Sequence, residues 1–235
     1  MIYPWTVSSP KDESSTAKIR EDFMYLNRPL KDFIGDTSSR TPTPGGGSVS
    51  ALTGALGASL LCMVANFTLG KKKYKEVEDE VKKLLKEAEE LKEKLMRLIQ
   101  EDIEAYEQVH QAIKASRGTS EKEKDYSQLL EKAFKQASSI PLRTAQLCLQ
   151  LIKLGEKLLL IGNPNLITDT GIGVLLAETA LESAALNVEI NLASIKDEEF
   201  KKKRWAELSS FLSEGKRIRD GVIGKIKNRL RGDDL

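Results

Sequence analysis

The 235-residue chain carries 37 basic and 35 acidic residues, a formal net charge of +2, too balanced for nucleic-acid binding, which rests on concentrated positive charge. Its 40% hydrophobic and 31% charged content is that of a globular protein rather than a disordered or fibrous one. With only 6% aromatic residues, the core must be built from Leu, Ile, Val and Ala.

Residues 1–22 are rich in Ser, Pro, Lys and Glu and read as a poorly ordered tail before one domain over 23–235. The start lacks the apolar stretch of a signal peptide, which points to a cytoplasmic protein. A short helix is expected over Tyr25–Ile34, with Phe33 and Ile34 packing inward. Thr41-Pro-Thr-Pro-Gly-Gly-Gly-Ser48 follows. Its prolines fix an extended approach, its glycines free the backbone, and Ser48 is placed to cap the next helix. That helix repeats small residues four apart (Ala51/Ala55, Gly54/Ala58, Ala55/Ser59), which suits the tight centre of a bundle or a subunit seam. The stretch Val49–Leu69 is uncharged and long enough to span a bilayer. Its Gly, Ser, Thr and Asn content, and the amphipathic segments around it, favour a buried central helix and no membrane.

Tyr74–Ser116 reads as one long helix. Val77, Val81, Leu84, Ala88, Leu91, Leu95 and Leu98 alternate spacings of four and three, the heptad seam of antiparallel helices or a coiled coil. A helix of that length spans about 60 Å at 1.5 Å per residue, against about 40 Å for a compact chain of this size, so part of its seam is expected to meet a second subunit. A polar break over Arg117–Lys124 leads to a helix carrying Leu129, Leu130, Ala133, Phe134 and Ala137. Pro141 either kinks that helix or opens another, with Ser138 or Ser139 as cap. Apolar periodicity runs on over Leu142–Leu160, and Gly162-Asn163-Pro164-Asn165 makes a turn. Thr168 or Asp169 is expected to cap a helix reaching Ile195, and Asp197 to start the last one. The fold class is all-α: a multi-helical bundle with one long helix, expected to be dimeric.

Little of the usual catalytic stock is present. One histidine, His110, excludes multi-His metal sites and sits among Gln108 and Gln111 as a surface residue. Cys62 and Cys148 form no CxxC pair and read as buried thiols. No metal and no prosthetic group is expected. The anomaly is Asp102. Continuing the long seam past Leu98 lands on this aspartate, then on Ala105, Val109 and Ala112, and a carboxylate on an apolar seam is costly unless it has a partner or a task. The bland alternative is helix drift, which turns the core face toward Ile99, Ile103 and Tyr106. Gly45, Gly46, Gly47 and Ser48 open a helix with free N–H groups that can hold an anion, or simply serve the chain's entry. Asn187 and Asn191, four apart on a small and apolar face, form a hydrogen-bonding patch for a ligand or a neighbouring helix. Lys71 and Lys72 are ordinary solvated charge unless an acidic substrate reaches them.

The run Thr41-Pro-Thr-Pro-Gly-Gly-Gly-Ser-Val49 together with Val64-Ala-Asn-Phe-Thr-Leu-Gly-Lys-Lys-Lys-Tyr74 resembles the cyclodeaminase/cyclohydrolase family of tetrahydrofolate one-carbon metabolism. Glu101-Asp102-Ile-Glu-Ala-Tyr106, Ile140-Pro141, Gly162-Asn163-Pro-Asn165 with Thr168-Asp169, and Leu186-Asn187-Val-Glu-Ile-Asn191 agree in order. The resemblance implies an all-helical homodimer. It would either cyclodeaminate 5-formimino-tetrahydrofolate to 5,10-methenyl-tetrahydrofolate or hydrolyse the latter to 10-formyl-tetrahydrofolate. It makes Asp102 the catalytic residue, in a motif whose first acidic position is Gln100 here. It also implies substrate contacts from Gly45, Gly46, Gly47, Ser48, Lys71, Lys72, Asn163, Asp169, Asn187 and Asn191, with the turn and lysines suiting a folate carboxylate or polyglutamate tail. The other reading is a non-catalytic helical oligomerisation module on the same scaffold.

Overall fold

The computed structural model describes residues 25–116 and 123–232, so the expected tail over 1–22 and most of the break over Arg117–Lys124 lie outside the described residues. The chain divides into two compact units at Pro42. In the first, a 3-10 turn, Tyr25–Asn27, precedes α1, Leu30–Thr37. Phe33 is buried against the edge of the Tyr25 ring, whereas Ile34 is 59% exposed. The inward placement expected of Ile34 is therefore corrected: Phe33 packs on Tyr25, and Ile34, the next residue, is rotated about 100° around the helix.

The second unit, Thr43–Leu235, holds α2 (Gly46–Asn66), α3 (Glu78–Ser116), α4 (Glu123–Ile161), α5 (Ile167–Ala193) and α6 (Glu198–Arg231). Among the described residues there is no strand. Helix α2 packs against α3, α4 and α5, and α5 packs against α2, α4 and α6. Both α2 and the Pro164–Ala193 stretch are long and apolar enough to cross a membrane, but 61% of the apolar window of α2 is buried inside the unit. Ala51, Ala55, Ala58, Leu61 and Val64 form its covered face. The small residues serve backbone approach. A Cβ on Gly57 would lie 2.8 Å from the carbonyl oxygen of Gly173, and one on Gly173 would lie 3.1 Å from that of Gly57. Because the obstacle is main chain and cannot swing aside, Gly57→Ala should lower stability by about 1–3 kcal/mol, the usual cost of overpacking. A denaturant melt that superimposes on the parent's would contradict this contact.

Among the described residues the long α3 has companions of similar length in α4 and α6, the last of 34 residues. The α4 helix runs 39 residues straight through Pro141, equal in length to α3. Pro141 forfeits one backbone donor, and Ser138, Ser139 and Thr144 turn their hydroxyls back onto the carbonyls of Lys135, Gln136 and Ile140 instead of capping a break. The α3 seam is accordingly covered by the chain's own α2 and α4, with Val81, Ala88, Leu95 and Leu98 all fully buried. Length alone thus gives that seam no need of a second subunit.

Helix ends follow local chemistry where the capping side chain is free. Asp197 caps α6 by accepting from Phe200 N at 3.0 Å, as its sequence position suggests, and Gly232 closes the helix at φ 80°. By contrast α5 starts at Ile167 with no side-chain cap, and Thr168 and Asp169 fall inside its first turn, where the Asp169 charge still meets the positive end of the helix. The long α3 is entered through a 3-10 turn, Lys72–Val77.

Candidate functional site

Helix α2 opens at Gly45, which offers no side-chain cap. Its first internal bond runs from Val49 N to Gly45 O at 3.0 Å, leaving the preceding amides of Gly46, Gly47 and Ser48 to find other acceptors. Ser48 does not cap its own helix, because it lies inside the first turn on the same face as Ala51, Ala55 and Ala58. It is completely buried and points at α3. There its Oγ donates to Asp102 Oδ2 at 2.8 Å and lies 3.2 Å from the carbonyl oxygen of Ile99. The Ser48 amide also bonds the Asp102 carboxylate. The start of α2 is thus capped by a carboxylate from another helix, 54 residues further along the chain.

Asp102 is half-buried, between the fully covered Leu98 and the buried Ile99 and Ile103 of the same helix. Both readings of the seam hold in part: the core face does turn toward Ile99 and Ile103, and Asp102 still aims at the chain's interior. Burial pushes its carboxyl above the ordinary carboxylate range, and the two hydrogen bonds from Ser48 pull it part of the way back. Among the described residues no charged neighbour contributes. The adjacent Glu101 is engaged elsewhere, paired with Arg143 of α4 at 2.8 Å. The result is an aspartate with raised proton affinity, held by neutral donors at a helix N-terminus.

Gly47 makes that placement possible. A Cβ built on it would overlap Oδ1, Cγ and Oδ2 of Asp102, so only glycine lets the carboxylate lie against the α2 backbone. A Cβ on Gly46 would lie 3.5 Å from Asn187 Oδ1, which brings α5 to the same corner. Asn187 and Asn191 give their amide N–H groups to carbonyls of their own helix, those of Ser183 at 3.0 Å and Asn187 at 2.7 Å. Both side chains stay partly accessible.

The other candidates lie elsewhere. Gly46 meets Asn187 while Gly57 meets Gly173, so α2 and α5 run antiparallel, and Asp169 belongs to the far end of α2 with Lys71, Lys72 and Asn163. The 21 residues of α2 separate the two ends, which amounts to about 30 Å at 1.5 Å per residue. Asn163 is buried and fully engaged. Its amide donates to Phe67 O, its Oδ1 accepts from Tyr74 OH at 3.1 Å and Asn165 N, and its backbone N–H bonds Thr68 Oγ1. It ties the loop after α2 to the loop before α5. Lys71 and Lys72 are exposed, with the Lys71 ammonium over the ring of Phe67. Cys62 and Cys148 are buried free thiols whose burial raises their proton affinity, and His110 is exposed beside Tyr106. Among the described residues, no group of three or more His, Cys, Asp or Glu is arranged to hold a metal.

Sequence reasoning missed the partnership of Gly47 and Ser48 with Asp102. One signal was available: Ser48, Ala51, Ala55 and Ala58 fall at spacings of three, four and three, which puts Ser48 on the buried face and away from a capping position.

Among the described residues the chain is all-helical, with a half-buried aspartate hydrogen-bonded to the glycine-rich start of α2. The chain belongs to the formiminotransferase-cyclodeaminase family, whose pattern matches residues 29–210. It is 36% identical to a methenyltetrahydrofolate cyclohydrolase of Methylorubrum extorquens over 88% of this chain and all of that protein. It is 30% identical to the formimidoyltransferase-cyclodeaminase of Mus musculus over 87% of this chain, spanning 38% of that longer protein. The fold matches the crystal structure of a formiminotetrahydrofolate cyclodeaminase from Thermotoga maritima, with a TM-score of 0.79 and 33% identity, covering 87% of this chain and 99% of the other.

Proposed function

We propose that this chain is a folate one-carbon enzyme acting on 5,10-methenyl-tetrahydrofolate, forming it from 5-formimino-tetrahydrofolate with loss of ammonia or hydrolysing it to 10-formyl-tetrahydrofolate. The observation that carries this reading is the Asp102 carboxylate, raised in proton affinity by burial and held by Ser48 and Gly47. Both reactions turn on one carbon held by N5, N10 and a third heteroatom. In hydrolysis Asp102 takes a proton as water adds to that carbon and returns it to N5 as the C–N5 bond breaks, while the second water proton leaves to solvent. In cyclodeamination, which starts from the protonated formimino group, it takes the N10 proton as N10 attacks the formimino carbon and delivers it to the departing nitrogen, which leaves as ammonia. A carboxylate above its ordinary range suits both halves of such a cycle. It also opposes the positive charge of the methenyl carbon.

Gly45, Gly46, Asn187 and Asn191 border the same corner and supply the polar contacts for the folate. Lys71, Lys72, Asn163 and Asp169 stand at the other end of α2 and are left out of that contact set within one chain. The test is direct: purified protein is mixed with each folate and the absorbance of 5,10-methenyl-tetrahydrofolate is followed. Its loss marks hydrolysis and its appearance marks cyclodeamination. No change with either substrate rejects the reading and favours a non-catalytic module.

The working form is proposed to be a homodimer. Val49 and Leu56 on α2, and Ile172, Leu175, Leu186 and Ile190 on α5, are exposed apolar residues on the two helices that border the site, with Leu186 and Ile190 at 67% and 68%. A second copy related by a two-fold axis would cover them. Light scattering should report twice the chain mass at micromolar concentration. A fully active monomer would refute this assembly.

A further inference from the structure

We propose that Ser48 is the positioning residue of this site: its hydroxyl and amide hold the Asp102 carboxylate in one place over Gly47 and set the pH at which that carboxylate exchanges its proton. The proposal deepens the catalytic reading of Asp102 and rests on it.

Three observations carry it. First, Ser48 is the completely buried member of the pair, 0% exposed, while Asp102 keeps partial access, so the serine faces the carboxylate from behind rather than facing a ligand. Second, both donors of Ser48 reach Asp102, the hydroxyl at 2.8 Å and the amide beside it. Donation to a carboxylate favours its charged form and opposes the effect of burial. Third, the same hydroxyl lies 3.2 Å from the Ile99 carbonyl, one helical turn before Asp102. A serine hydroxyl has one proton and can also accept. When Asp102 is ionised, that proton points to Oδ2. When Asp102 carries a proton on Oδ2, that proton points to Ser48 Oγ, and the serine proton turns to Ile99 O. The serine keeps its own proton throughout and only changes the oxygen it serves. Both protonation states of Asp102 are therefore hydrogen-bonded without movement of the carboxylate.

Among the described residues no charge competes for this control. Helix α2 has no charged residue from Gly46 to Asn66. On α3, Glu101 is paired with Arg143 of α4, and Glu104 accepts from Gln100. From α5 the neighbour of the helix start is the neutral Asn187, with Glu182 and Glu189 the nearest carboxylates along that helix.

The test compares Ser48→Ala and Ser48→Cys with the parent. The Asp102 carboxyl carbon is titrated by carbon-13 NMR, assigned by its absence in Asp102→Asn, and the pH–rate profile is recorded on the folate that the parent turns over. Removing the hydroxyl should move the Asp102 titration up, by at most about one pH unit, because the charge-assisted bond lost from the ionised form is stronger than the neutral bond lost from the protonated form. The limb of the rate profile should move with it. The thiol, a weaker donor, should give a smaller shift in the same direction and serves if the alanine variant does not fold. An Asp102 titration unmoved in whichever variants fold overturns the proposal. A titration that moves in a protein inactive on both folates keeps the serine–aspartate coupling and rejects only the folate reading.

Discussion

Gly47→Ala is expected to leave the helices intact and to cut turnover at least about tenfold, toward the range lost when a general acid–base group is misplaced. The new methyl would occupy the space of the Asp102 carboxylate. The obstacle is the end of a side chain and not main chain, so the aspartate can rotate away and the fold need not yield. Gly47 lies in ordinary helical backbone, since the positive-φ glycines among the described residues are Gly70 and Gly232. Alanine there gains helix propensity, up to about 1 kcal/mol over glycine, which offsets the loss of the Ser48 bonds. Circular dichroism should show parental helicity and a melting temperature close to the parent's, alongside the fall in rate. Parental activity would mean that the carboxylate need not lie against the start of α2. Gly57→Ala makes the control, because there the obstacle is the Gly173 carbonyl and stability is lost instead.

Most helices were legible because periodicity over many residues is a strong signal, as in the run from Val81 to Leu98. What failed was punctuation. Pro141 suggests a kink or the opening of another helix, yet it costs a helix only one donor and some crowding, and the packing of α4 along α3, α5 and α6 outweighs that. Residue type favours Ser48 as one cap and Thr168 or Asp169 as another, while the actual starts of α2 and α5 have no side-chain cap. At α2 the capping role passes to Asp102, a partner that local sequence cannot supply. Asp197 was legible because its partner, Phe200 N, is three residues away.

The site divides in the same manner. Asp102 stood out as a polar residue breaking an apolar seam, which is a local anomaly. Its dependence on Gly47 and Ser48 is a contact across more than fifty residues and has no local trace beyond the small-residue face of α2. The separation of Lys71, Lys72, Asn163 and Asp169 from Asp102 is equally tertiary. In sequence Lys71 follows the helix that the glycine-rich turn opens, but the 21 residues of that helix carry it about 30 Å away.

Asp102→Asn should produce the larger separation between activity and stability. The asparagine keeps the size and an acceptor for Ser48 but cannot exchange a proton, so the rate on the preferred folate should fall at least about tenfold, within the 10²–10⁴ that acid–base catalysis typically supplies. Stability should move the other way. Burial raises the folded-state pKa of Asp102 above its unfolded value. The group therefore favours folding below the ordinary carboxylate pKa, and that contribution is lost as pH rises through the raised value. At neutral pH the parent holds a carboxylate that burial disfavours. The neutral variant should then melt no lower than the parent at pH 7, and any advantage should vanish at acid pH, where both side chains are uncharged. In the rate profile for hydrolysis, the carboxylate is the active form, so the parent should show an ascending limb placed above the ordinary carboxylate range. The variant should show a flat residual rate across that interval. An unchanged limb in Asp102→Asn would remove this aspartate from proton transfer and leave its place at the start of α2 as a cap alone.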